Sequence, residues 1–531
     1  MTPQREKKYL TIFLGMSSWV FLCSFTMADP DLWGHTLYGI RAIEQGVLTE
    51  ATDPFSYTAQ GDPWFNHEWA TEYEYGWLWT HFGNSGLLAW KFSIIAGLVA
   101  WLTFSLCRSD SNMGARILLV TFTTMCLGNF VVFIRPQLVT FLLFPIYLSI
   151  LNACWEKWEQ AAWSLPLLTI LWVNQHGGFL AGVALVGFYA FMHWVRFFIT
   201  KAGYKNALLM SGVFVCTVMA TFVNPYGYLL HGMLWTHLGT EQHVREWQSV
   251  WDVGFSWVYI APLMILVFAF TLNRKWRWID LFVMLVIAAQ AVMHLRHIAL
   301  LCLAEVIFLP AILSESIRRV FPQMCQRWDA PESASLRFGG ILSSIGFLLL
   351  LQIQSGIPLW KAGLRPWDIA VETSDSVPGM PTQAVRFLND HQISGNILTD
   401  YGWAQFVIWQ TFPQSSIGFD GRYRTVYNAE LEADFLEFQT SGISLPAQTP
   451  YLDEHPTQIV LLPAQAGAVK YLKQRADWQE IYRDSQATIY VHENEVPLEQ
   501  LHQTQSKLPE NQGRTWEIFP AAIKTGTKIA K

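Results

Sequence analysis

The 531-residue chain is 52% hydrophobic, 15% aromatic and only 14% charged, where an ordinary soluble domain carries about 25% charged residues. A formal charge of −6 offers no basic footprint, so no nucleic-acid partner is expected. The seven cysteines stop at Cys325 and show neither metal-ligand spacing nor a disulfide framework for the polar C-terminal part.

In chain order, apolar segments fall near 9–27, 85–106, 115–134, 138–154, 161–174, 178–199, 207–223, 257–272, 279–293, 298–313 and 338–355, which predicts about eleven membrane spans. The first is long enough to cross about 30 Å of hydrocarbon and reads as a retained helix, not a signal peptide. The fifth, "WSLPLLTILWVNQHGG", is short enough to be tilted or broken. Lys and Arg concentrate in alternate connections: Arg5, Lys7 and Lys8; Arg108 and Arg116; Lys157; Arg196, Lys201 and Lys205; then Arg274 to Arg277 and Arg318 to Arg337. The opposite connections hold only Arg41, Arg135, Arg245 and Arg296. This bias predicts a multi-pass protein of the inner cell membrane, its N-terminus cytoplasmic and its C-terminal part outside.

Beyond 355 the pattern becomes that of a soluble region. Strand-like runs "NILTD" (396–400), "SSIGFDG" (415–421), "QIVLLP" (458–463) and "ATIYV" (487–491) alternate with helical stretches at 380–391, 402–412, 428–440 and 464–475. That alternation predicts a small α/β domain over 356–492. Residues 493–531 lack periodicity and are expected to be poorly ordered. Residues 1–355 form the membrane module, with 28–84 as its first outer loop.

On the predicted outer side every turn supplies polar chemistry. Asp29, Asp31 and His35 follow the first span, and Arg135 lies in "FIRPQL". His176 lies in "WVNQHGGF", and His294, Arg296 and His297 in "MHLRHIAL". Guanidinium and imidazole suit a phosphate or pyrophosphate headgroup, and a carboxylate suits a general base or a metal ligand. Together these are the parts needed to move a sugar from a lipid phosphate to an acceptor hydroxyl. A divalent metal is compatible with the carboxylates, but no ligand set is legible. Arg135 could equally cap helix carbonyls and snorkel.

The acidic first loop opens with a predicted helix over 30–45, Asp29 at its cap and Pro30 in its first turn. A second helix over 67–82 carries Trp69, Tyr73, Trp77 and His81 on one stripe, with Glu68, Glu72 and Glu74 between them, as expected of a helix lying in the membrane interface. Asp before Pro reads as a cap, which makes Asp31 the stronger candidate base. Farther on, "FDGRYRTVYN" (419–428) reads as either an acceptor-binding turn or a salt-bridged loop.

The stretch "DPDLWGHTLYGIRAIEQGVLTEATDPFSYTAQGDPWFNHEW" resembles the first outer loop of the GT-C-fold glycosyltransferases, such as protein O-mannosyltransferases and lipid A aminoarabinose transferases. The resemblance implies a GT-C-like helical membrane module, a polyprenyl-phosphate sugar donor, and inversion at the anomeric carbon. It places Asp31 at the catalytic carboxylate, with Asp29 as a possible helper, and Tyr38 at the aromatic of the first helix. Two departures stand out: Leu32 follows Asp31 where many relatives have an acid, and Asn66–Trp69 replaces a Lys-Pro-Pro stretch. Arg135, His176, His294, Arg296 and His297, with His35 and Glu68, would then bind the donor phosphate or substrate. The acceptor, a lipid, glycan or protein hydroxyl, is open. The rival readings are a non-catalytic lipid-glycan binding or assembly protein and a transporter or flippase, the latter disfavoured because the ionisable residues sit at span ends.

Overall fold

The apolar segments become helices because each is a run of Leu, Phe, Val and Ala long enough to close its own backbone hydrogen bonds, as a lipid environment demands. The computed structural model describes residues 3–157, 159–238, 247–254, 256–272, 276–330, 333–354, 364–373, 379–440, 451–493 and 516–521. The chain divides into two units: Met1–Phe25 with Leu88–Gly227 and Thr240–Pro366, and Thr26–Leu87 with Tyr228–Gly239 and Trp367–Lys531.

The first unit is helical. Among the described residues four helices are long and apolar enough to cross a membrane: Asn84–Arg108, Met113–Val131, Gln137–Glu156 and Phe179–Thr200. A fifth crossing is available if Leu295–Phe308 and Pro310–Val320, bent by 78°, act as one span. The bend falls where Pro310 removes a backbone donor. The expected eleven spans are therefore corrected to four or five. The remaining apolar runs do form helices, but Ser164–Val173, Tyr204–Ala220, Trp257–Leu272 and Trp278–Met293 have 10, 17, 16 and 16 residues, short of the roughly 20 that about 30 Å requires. Helix Pro3–Cys23 begins with Arg5, Glu6, Lys7 and Lys8, which shortens its apolar run. Local caps and buried pairs fix the unit: Asn112 accepts the Ala115 N–H at 2.8 Å, and Arg337 pairs with Glu6 at 2.7 Å.

The second unit joins the first loop to the C-terminal region. Its main sheet has the order β3-β2-β4-β6-β5, with β2 Asn396–Thr399, β3 Ser416–Ile417, β4 Ile459–Pro463, β5 Trp478–Arg483 and β6 Ala487–His492. Strand β2 is parallel to β3 and β4, and β6 is antiparallel to β4 and β5. Leu398, Phe419, Phe435, Tyr451, Val460 and Leu462 form the core on one face. A second, two-stranded sheet pairs β1 (Ala370–Glu372) with β7 (Trp516–Ile518). Part of the expected disordered tail is thus a paired strand; 494–515 and 522–531 lie outside the described residues. Ala370 also bonds back to the first loop, its carbonyl accepting Ala28 N–H at 2.8 Å and its N–H donating to Thr26 at 2.9 Å. Trp33 Nε1 donates to the Pro520 carbonyl at 3.2 Å.

Within the first loop the helices run Leu32–Gln45 and Trp69–Phe82, each starting two residues later than its spacing predicts. The first stops at Gly46, whose φ of +69° gives the left-handed cap that glycine adopts without strain. The helices cross with backbones in contact: a Cβ on Gly39 would lie 1.8 Å from the Glu72 carbonyl oxygen, and one on Gly76 2.3 Å from the Gly39 carbonyl carbon. Only glycine at both positions permits this approach.

Candidate active site

The Gly39–Gly76 crossing sets the register of the first-loop site. One turn before each glycine stand His35 and Glu72, and the crossing brings them face to face. His35 Nδ1 lies 2.8 Å from Glu72 Oε1, and its Nε2 3.8 Å from Glu68 Oε2. The Asn66 amide donates to the other Glu72 oxygen, while Asn66 Oδ1 accepts the Glu68 N–H at 3.2 Å. Burial alone would depress the imidazole pKa. The Glu72 hydrogen bond and the charges of Glu72, Glu68 and Asp31 overcome it and raise the pKa to about 9. At neutral pH His35 is therefore a cation between two carboxylates. The donor atoms of His35, Glu68 and Glu72 all lie within 4.8 Å of one another, a spacing a metal ion could bridge.

Asp29 and Asp31 divide the roles at the helix start. Asp29 is fully buried and its Oδ1 accepts the Asp31 N–H at 3.1 Å. Because the helix begins at Leu32, Asp31 rather than Asp29 holds the N-cap position, yet its side chain makes no cap hydrogen bond. The half-buried Asp31 carboxylate lies against Gly421 instead, where a Cβ would come within 2.3 Å of Oδ1.

The Gly421 turn is rigidly held. Arg422, buried, pairs with Asp420 Oδ2 at 2.7 Å and with Asp53 Oδ1 of the first loop at 2.6 Å. Its guanidinium lies 5.0–5.6 Å from the ring centres of Trp64, Phe55 and Tyr38, favourable cation–π distances. Arg424 pairs with Glu432 at 2.6 Å. Of the two readings of "FDGRYRTVYN", the charged side chains fit the salt-bridged loop. Tyr38 donates to Gln405 Oε1 at 2.5 Å, and Gln405 in turn fills the space left by Gly34.

The other candidates belong to the helical unit. His176 is buried; its Nδ1 accepts the Gly178 N–H at 2.9 Å and lies 2.8 Å from Thr140 Oγ1, which leaves the proton of the neutral ring on Nε2. A Cβ on Gly178 would meet Thr140 Oγ1 at 2.3 Å, so the glycine makes room for that side chain. The Arg135 guanidinium lies 5.2 Å from the Phe133 ring. His294, Arg296 and His297 gather around Trp247: His294 Nδ1 bonds its carbonyl at 2.9 Å, Arg296 lies 4.6 Å from its ring, and the two imidazoles are 5.4 Å apart.

Sequence reasoning named Asp31, His35 and Glu68 and offered the 419–428 turn as one of two readings, but did not single out Glu72 and Asn66, which the structure sets beside His35. The signals were present: Glu72 stands four residues before Gly76, as His35 does before Gly39, and Asn66 lies just before the second helix.

No family model matches the chain, and no curated protein does. Among solved structures, the arabinofuranosyltransferase AftD from Mycobacteria is similar in two forms. A mutant form is 12% identical with a TM-score of 0.46, covering 91% of this chain and 41% of that one. The other is 12% identical with a TM-score of 0.45, covering 92% and 40%. The chain therefore spans about two fifths of the length of those proteins.

Proposed function

We propose that the chain is a membrane glycosyltransferase that moves a sugar from a polyprenyl-phosphate donor to a lipid, glycan or protein hydroxyl on the outer membrane face. Asp31 takes the acceptor hydroxyl proton as that oxygen attacks the anomeric carbon. The bond from that carbon to the phosphate oxygen breaks, polyprenyl phosphate leaves, and the configuration inverts. Asp29 fixes the backbone at Asp31, and His35 lies close enough to feel the Asp31 charge. The reading is supported above all by Asp31 holding a cap position without using its carboxylate as a cap. In the helical unit, the guanidinium groups of Arg135 and Arg296 and the imidazoles of His176, His294 and His297 are the groups assigned to a lipid phosphate.

The test is transfer of labelled sugar from polyprenyl-phosphate donors by the purified chain. Asp31→Asn should lower the rate by roughly 10²- to 10⁴-fold, the range of a lost general base. Arg135→Ala and Arg296→Ala should raise the donor KM. No transfer by the wild type with any donor would reject the enzyme reading in favour of a lipid-glycan binding protein or a transporter.

The His35–Glu68–Glu72 spacing favours a second reading, in which a divalent cation takes the place of the His35 proton. His35 Nε2 and Glu68 would hold it, and Glu72 would orient the ring. Activity lost in EDTA and restored by Mg²⁺ or Mn²⁺ would select that reading; activity unchanged in EDTA would select the imidazolium.

A further inference from the structure

Strand β2 is the switch point of the main sheet: the chain leaves it for β3 on one side and returns to β4 on the other. Sheets of this kind take ligands outside the carboxyl ends of the strands at such a point. Asp400 and Tyr401 follow β2 there, and the turn through Gly421 to Tyr423 follows β3. Tyr423 has φ +43°, a left-handed backbone that a bulky aromatic residue rarely adopts and that clusters at functional sites. The buried Arg422 pairs with Asp420 and Asp53 hold the turn in that shape. The strained backbone sets the Tyr423 ring 4.8 Å from that of Tyr401. Both side chains are half-buried, so each keeps an accessible face. The charge of Asp31 acts on both phenols, and its carboxylate abuts Gly421 between them in sequence.

We propose that Tyr401 and Tyr423 form an acceptor subsite that binds a carbohydrate, its C–H face against the phenol rings and a hydroxyl presented to Asp31. A sugar ring offers an apolar face bordered by hydroxyls, and a phenol offers an apolar ring ending in a group that both donates and accepts. The role of the presented hydroxyl rests on the transferase reading; the binding itself does not.

The experiment is saturation-transfer NMR on the full chain in lipid nanodiscs, with methyl α-D-mannopyranoside, methyl β-D-galactofuranoside and methyl α-D-arabinofuranoside as probes. At least one probe should receive saturation on its ring protons. Tyr401→Phe combined with Tyr423→Phe should weaken its binding about fivefold or more, the scale of a lost neutral hydrogen bond. Tyr482→Phe, at a buried phenol elsewhere in the sheet, should leave the signal unchanged. Silence from all three probes, equal signals from wild type and double variant, or a fall shared by Tyr482→Phe would each overturn the subsite. Binding that survives in a chain transferring no sugar would overturn the transferase reading and leave the subsite standing.

Discussion

Gly421 leaves room for Asp31 that any other residue would take. A Cβ there meets the far end of a side chain, which can swing aside at little cost to the fold. Gly421→Ala should therefore cut sugar transfer at least about tenfold, by misplacing the base, while its melting curve stays close to the wild type's. An equal loss of stability and activity would contradict that separation. His35 gives a pH signature. Its folded pKa of about 9 lies above the value of 6.5 expected when unfolded, so its stabilisation is complete below about pH 6.5 and disappears as pH rises through 9. The difference in Tm between wild type and His35→Gln should be constant from pH 5.5 to 6.5 and should shrink toward pH 9.5; a difference independent of pH would show that His35 is neutral in the fold. Arg422 neutralises two buried carboxylates, so Arg422→Met should cost about 3–5 kcal/mol by leaving Asp420 and Asp53 uncompensated, readable by chemical denaturation.

Two helices and one sheet edge make the site. The helices of the first loop were legible: the Asp-Pro start and the aromatic stripe located both to within two residues. Their crossing was not, because a glycine in a helical pattern announces a close approach without naming the partner. Gly39→Ala forces the Glu72 backbone to move and should destabilise the second unit by about 1–3 kcal/mol or more, with His35 losing its high pKa as the register opens; NMR titration of the imidazole follows both. In the C-terminal region four strands and four helices lie where alternating apolar runs predicted them. Strands β1, β5 and β7 were missed, since three-residue strands and a polar-faced edge carry little periodic signal. The Tyr423 backbone was beyond reach for a simpler reason: nothing in "GRYR" encodes a left-handed tyrosine except the buried arginine clamp around it.

At the scale of the molecule, apolarity was read correctly and length was not. Runs such as 257–272 and 279–293 were counted as spans although the helices they form have only 16 residues each. Three of the four long helices also present large apolar side chains outward, among them Phe104, Leu118 and Phe191. Spin labels at these three positions in a reconstituted chain should collide readily with oxygen and poorly with a water-soluble nickel chelate, as acyl-chain contact requires; the reverse order would place these faces in water.

The bond from Trp33 to Pro520 joins residues 487 positions apart. A ribosome adding about 5–20 residues per second needs roughly 25 to 100 s to bridge that interval. Throughout that time the segment bearing Asp31 and His35 has left the exit tunnel without the strands and turns that later enclose it. Loop closure over such a span is slow as well as late. Biogenesis therefore completes the packing around this segment last, after the long apolar helices have been released, and a nascent chain stalled before residue 516 would lack the Trp33–Pro520 bond.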